Sequence, residues 1–95
     1  MKKYIWMAGL HEIIHLIEPD PVYDLIQEEW KAKLLCIDRA VVNSFMGKTR
    51  TVSTMNYHLC PKCLEHMDGI TLSNHAKRIW ILFRLGITKE IKLLW

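Results

Sequence analysis

The stretch Tyr4-Ile5-Trp6-Met7-Ala8-Gly9-Leu10-His11-Glu12-Ile13-Ile14-His15-Leu16-Ile17-Glu18 decides the fold, because its apolar residues can be read in more than one period. Trp6, Leu10, Ile13, Ile14 and Ile17 fall at the spacing of one helical stripe, which predicts an amphipathic helix over residues 4–18. Pro19 ends that helix. Asp20 followed by Pro21 has the form of an N-cap with proline at the first helical position, so a second helix is expected to run to about Lys33, with Val22, Ile26 and Trp30 on its apolar face.

Beyond Lys33 the composition shifts to Val, Ile, Thr and Tyr. Leu34 to Phe45 and Thr49 to Leu59 are expected to form a β-hairpin around Met46-Gly47-Lys48. Ser73 is an expected N-cap for a helix from Asn74 to Leu85, with Gly86 as its stop. A short final helix is expected over Thr88 to Trp95. The order helix, helix, hairpin, knuckle, helix is that of an α+β domain. At 95 residues the chain is one domain, 1–95, with a thin margin of buried surface that a metal would widen.

Three cysteines, two of them three residues apart, suit reduced thiols in a cytoplasm better than a disulfide framework. The longest uninterrupted apolar run, Ile79 to Phe83, is far too short to span a membrane, and no signal peptide is read at the start. Charge divides unevenly. Residues 1–47 carry five Lys/Arg against seven Asp/Glu, a balance of −2; residues 48–95 carry eight against three, a balance of +5. The basic half permits contact with nucleic acid or with an acidic protein surface.

Two thiolates separated by two residues, Cys60 and Cys63, can grip one metal through a tight turn whose N–H groups point at the sulfurs. The run Tyr57-His58-Leu59-Cys60-Pro61-Lys62-Cys63-Leu64-Glu65 resembles the second knuckle of zinc-ribbon and treble-clef proteins. That resemblance implies a structural Zn2+ and an earlier Cys pair. At the matching place, Leu35-Cys36-Ile37-Asp38-Arg39, only Cys36 is present, with Arg39 where the second thiol would stand. The expected ligands are Cys36, Cys60, Cys63 and His66, the last because one helical turn brings it back towards Cys63. His11, His15, His58 and His75 are rivals for the fourth position.

His11-Glu12-Ile13-Ile14-His15 matches the HExxH signature of zinc hydrolases, in which two histidines on a helix share zinc and the glutamate activates its water. The expected helix turns His11 and His15 away from the apolar stripe, and so short a chain has little material for a substrate cleft. Binding without catalysis is therefore the leading expectation, and a minimal hydrolase the last.

Lys48 and Arg50 at the hairpin tip, with Lys77 and Arg78 on the C-terminal helix, are the expected nucleic-acid contacts. The same helix carries Ile81, Leu82 and Leu85 beside its cations, and the chain ends in Trp95. That apolar surface supports the alternative of an inhibitor or adaptor of the mobile-element type, or a homodimer formed through this helix.

Overall fold

The computed structural model describes residues 3–18, 22–36, 40–41 and 49–94. Lys3–Ala8 (β1) and Ile13–Ile17 (β2) are antiparallel strands, in register from Ile5 opposite Ile17 to Ala8 opposite Ile14. The helix expected over residues 4–18 is therefore overturned. The physical reason is burial on both faces. Trp6, Ala8, Ile14 and Leu16 enter one apolar cluster with Ala76 and Ile79, while Met7 and Ile17 enter a second with Ala32 and Leu34. A strand covered on both sides loses the apolar–polar alternation that would announce it, and its continuous apolar run also satisfies a helical stripe.

Between the two strands the chain reverses through Leu10–Glu12, with His11 and Glu12 both at φ 59°. Gly9 closes this turn by donating its N–H to Ile13 O at 2.8 Å.

The second expected helix is absent too. Val22–Asp24 (β3) and Glu29–Ala32 (β4) form an antiparallel hairpin, extended by Ala40–Val41 (β5) beside β4. Asp24 caps its turn: Oδ1 accepts from Ile26 N at 2.9 Å and Gln27 N at 3.1 Å, and Oδ2 meets Lys31 Nζ at 3.1 Å. A carboxylate that collects the free N–H groups ahead of it is as much a turn signal as a helix cap.

The expected 34–59 hairpin is replaced by longer-range pairing. Thr49–Ser53 (β6) pairs antiparallel with Glu90–Leu94 (β9), which is a strand where a terminal helix was expected. His58–Leu59 (β7) runs parallel to β2. The hairpin's expected turn, Met46-Gly47-Lys48, lies outside the described residues. Thr71–Leu72 (β8) pairs parallel with the start of β1. The large mixed sheet has the order β6-β9-β1-β2-β7, with β8 also on β1. The α+β expectation thus gives way to a strand-dominated fold.

Two helices occur among the described residues, Pro61–Glu65 (α1) and Asn74–Arg84 (α2). The second follows its sequence signals closely. Ser73 Oγ accepts from Ala76 N at 3.1 Å at its start. At its end Gly86 takes φ 69°, with Gly86 N bonded to Phe83 O and Ile87 N to Leu82 O, the paired bonds of a Schellman stop. Trp6 Nε1 donates to Ala76 O at 3.0 Å and fixes α2 against β1. No described helix is long and apolar enough to cross a membrane.

Candidate metal centre

The edge of β2 opposite β1 is covered by two different segments, and the candidate site lies where they meet. Cys60 N donates to Ile14 O at 2.9 Å as the chain leaves β7, and Leu35 N donates to Leu16 O at 2.9 Å as it leaves β4. His15 sits between those two contacts. Pro61, fixed in φ, starts α1 directly after Cys60, and this one-turn helix brings Cys63 back beneath β2. There Cys63 Sγ accepts from Leu16 N at 3.4 Å, so a sulfur stands where a neighbouring strand would supply a carbonyl.

The result is a group of four, His15, Cys36, Cys60 and Cys63, whose donor atoms all lie within 4.8 Å of one another and which can hold a metal ion. Cys36 Sγ is 3.3 Å from His15 Nδ1. Bond lengths of about 2.3 Å to sulfur and 2.0–2.1 Å to nitrogen place neighbouring tetrahedral ligands roughly 3.3–3.8 Å apart, so the group needs only a small contraction to close on an ion. Cys60 and Cys63 are buried, and His15 and Cys36 half-buried.

Electrostatics favour a cation here. Burial pushes the Cys63 thiol up to about 12 and raises Cys36 as well, since a desolvated thiolate is disfavoured and a second one beside it more so. Burial acts the same way on Cys60, but the N–H groups of Cys63 and Lys62, with the neighbouring thiols, outweigh it and hold Cys60 below its ordinary value. Burial lowers His15 and favours the neutral imidazole, the form that ligates metals. Three thiols this close cannot all ionise without a positive charge among them.

Of the expected ligands, Cys36, Cys60 and Cys63 come together, and His15, one of the rivals, completes the group. His66 does not join it. The five-residue α1 ends at His66, whose φ of −102° and ψ of 8° leave the helix, and its side chain is exposed. His11, His58 and His75 are exposed and outside the group. The HExxH pattern loses the helix it depends on: His11 and Glu12 occupy the strained β1–β2 turn, and His15 alone reaches the thiols. Arg39, Lys48 and Trp95 lie outside the described residues. Lys77 and Arg78 are exposed on α2, whereas Arg50 is on β6, 6.0 Å from the centre of the Tyr57 ring.

One residue with a role here escaped the sequence reading. A Cβ on Gly9 would come within 2.7 Å of His15 Cδ2, 3.1 Å of His15 Nε2 and 3.0 Å of Ile13 O. Gly9 therefore makes room for the ring edge opposite Nδ1 and so aims Nδ1 at the thiols. Its φ of −106° is open to any residue, so the requirement is space alone. A glycine between two apolar runs was its signal, as glycine there often marks a close approach. Comparisons of the chain with family models, with curated proteins and with solved structures gave no match.

Proposed function

We propose that the chain is a small, non-enzymatic binding protein stabilised by one zinc ion, with His15, Cys36, Cys60 and Cys63 as a closed structural site. The observation that carries this reading is the convergence of the four donors within 4.8 Å. Thiolate and imidazole together suit zinc among the common divalent ions. Four protein donors fill a tetrahedron and leave no position for the water that a hydrolytic zinc activates. A dithiol redox pair needs neither Cys36 nor His15, so their presence beside Cys60 and Cys63 also favours a metal. The ion would tie together the β1–β2 hairpin, the segment leaving β4 and the knuckle after β7.

Metal analysis of protein purified without chelator tests this reading. One zinc per chain is expected in the wild type and in His66→Ala. Cys36→Ser, Cys60→Ser and His15→Ala should each lose it or bind it far more weakly. Wild-type protein without metal, or full retention in all three ligand variants, would sink the proposal.

The binding surface we infer is the outer face of α2, with an anionic partner. Lys77, Arg78 and Arg84 are exposed there, and none has an ion-pair partner among the described residues. Nucleic acid is one such partner and predicts affinity that falls steeply with added salt. Ile81 and Leu85 lie exposed between the cations, which favours an acidic protein surface over a phosphate backbone.

A further inference from the structure

Two surfaces of this chain are exposed, partly apolar and opposite in charge. The first is the turn of the β3–β4 hairpin. Leu25 and Ile26 are 83% and 95% exposed at its tip, where turns ordinarily place Gly, Asn, Asp or Ser. They contribute nothing to the chain's own core, yet they are held firmly. Asp24 accepts from Ile26 N and Gln27 N, Lys31 Nζ reaches both Asp24 and Gln27, and Glu28 takes φ 54° to close the turn. Glu28, exposed, and Glu29, half-buried, follow the tip, both without ion-pair partners among the described residues.

The second surface is the outer face of α2. Ile81 and Leu85 are 50% and 66% exposed along it, bordered by Lys77, Arg78 and Arg84. Residues 69–89 contain no carboxylate to neutralise those cations. The high exposure of both surfaces means that neither covers the other within one chain.

We propose that the two surfaces are partners: the β3–β4 tip of one copy docks on the α2 face of a second copy. Leu25 and Ile26 would pack against Ile81 and Leu85, and Glu28 and Glu29 would face Lys77, Arg78 and Arg84. Charge complementarity is what selects a second copy as the occupant, since the acidic apolar surface that the helix face suits is carried by the same sequence. Made reciprocally, the contact occurs twice and gives a closed two-fold dimer. A specific dimer needs roughly 800 Å² from each partner, and each chain exposes 6489 Å² in all. The inference rests on reading the α2 face as a binding surface, and it does not require the metal.

Sedimentation equilibrium of the zinc-loaded 95-residue chain from about 1 µM to about 1 mM tests it, across the range where modest interfaces associate. Wild type should dimerise, and added salt should weaken the dimer. Ile26→Asp and Leu85→Asp should each weaken association at least about tenfold, since each buries an unpaired charge in both contacts. An equimolar mixture of those two variants should recover part of the association, because one intact tip then meets one intact face. A dimer built on helix against helix would show no such recovery and no response to Ile26→Asp.

Glu28→Lys/Glu29→Lys should also weaken self-association, and mixing it with Lys77→Glu/Arg78→Glu should restore complementary charge in both contacts, one native and one swapped. The proposal is overturned if wild type stays monomeric throughout, or if Ile26→Asp leaves the dimer unchanged. It is also overturned if monomeric wild type binds a DNA duplex through Lys77 and Arg78. Zinc content measured on each sample separates this outcome from the metal reading, which is decided by zinc in the wild type and its ligand variants and not by association.

Discussion

The metal group and the β3–β4 turn are both ordered by polar contacts, but they differ in what those contacts hold together. Around His15, Cys36, Cys60 and Cys63, segments far apart in sequence converge, and two of the four side chains are buried. At the β3–β4 turn one carboxylate organises residues within a few positions of itself and fixes two aliphatic side chains in solvent. Local hydrogen bonding can preorganise a surface for recognition without adding to the core. Stability has to come from the place where distant segments are joined. The consequences of damage should therefore differ sharply between the two.

The largest expected effect is at the metal. A structural zinc contributes an apparent ~10–16 kcal/mol in small zinc-dependent folds, as much as the whole stability of a typical domain, ~5–15 kcal/mol. Stripping the metal with a chelator, or replacing Cys63 by Ser, should abolish the cooperative thermal transition followed by circular dichroism. A metal-free protein with an unchanged melting temperature would place stability elsewhere. Acid should act in the same direction. Burial lowers the His15 pKa from 6.5, so the neutral ring's contribution is complete above that pH and fades as pH falls through the folded-state value. Metal content measured along an acid titration should fall too, at lower pH than the metal-free ring titrates, because the bound ion competes with the proton.

Gly9→Ala should come next. The added methyl meets the His15 ring at 2.7 Å and a backbone carbonyl at 3.0 Å, so either the ring turns away from the thiols or the β1–β2 turn opens. Overpacking of this kind costs about 1–3 kcal/mol. Zinc affinity should fall along with stability, which a chelator competition would read. A loss of stability with affinity intact would mean that Gly9 serves the turn and not the ring.

What the sequence disclosed follows the same division between local and long-range causes. The knuckle was legible because Cys60-Pro61-Lys62-Cys63 makes its own turn, and α2 because Ser73 and Gly86 mark its ends. His66 was the expected fourth ligand because helical spacing is a local rule, and it fails since α1 stops at that residue. His15 takes the place through the parallel pairing of β2 with β7, a contact between residues more than forty apart in sequence that no local pattern encodes. The N-terminal strands were misread for a related reason: what covers each face of β1 and β2 is supplied by α2, by β4 and by Leu34. Asp24 was ambiguous for the opposite reason, since a carboxylate collecting N–H groups begins a helix or a turn equally well.

The caps of α2 give a smaller effect that belongs to neither region. Gly86→Ala forces a Cβ into φ 69°, and Ser73→Ala leaves Ala76 N without its acceptor. Each should cost about 1 kcal/mol. Thermal melts should show the two losses adding, since they act on opposite ends of the helix, while zinc stoichiometry stays at its wild-type value.

The smallest global effect is expected where the local order is most visible. Asp24→Asn keeps an acceptor for Ile26 N and Gln27 N but loses the charge that pairs with Lys31. The Gln27 and Ile26 N–H groups and the Lys31 ammonium hold the Asp24 carboxyl below 3.8, so its contribution is complete above that pH and fades as pH falls below it. The melting temperature should barely move, because the hairpin's apolar tip is outside the core. Hydrogen exchange at Ile26 and Gln27 should instead accelerate in the variant at neutral pH, and in wild type the protection of those amides relative to their intrinsic exchange should fall as pH falls through the carboxyl's folded-state pKa. An Asp24→Asn protein with wild-type exchange at those two amides would show that the turn is held by its backbone alone. If the β3–β4 tip docks on a second copy as inferred above, the same substitution should weaken dimerisation while the isolated chain remains as stable as before. Recognition would then be lost with the fold intact, the reverse of what removing the metal does.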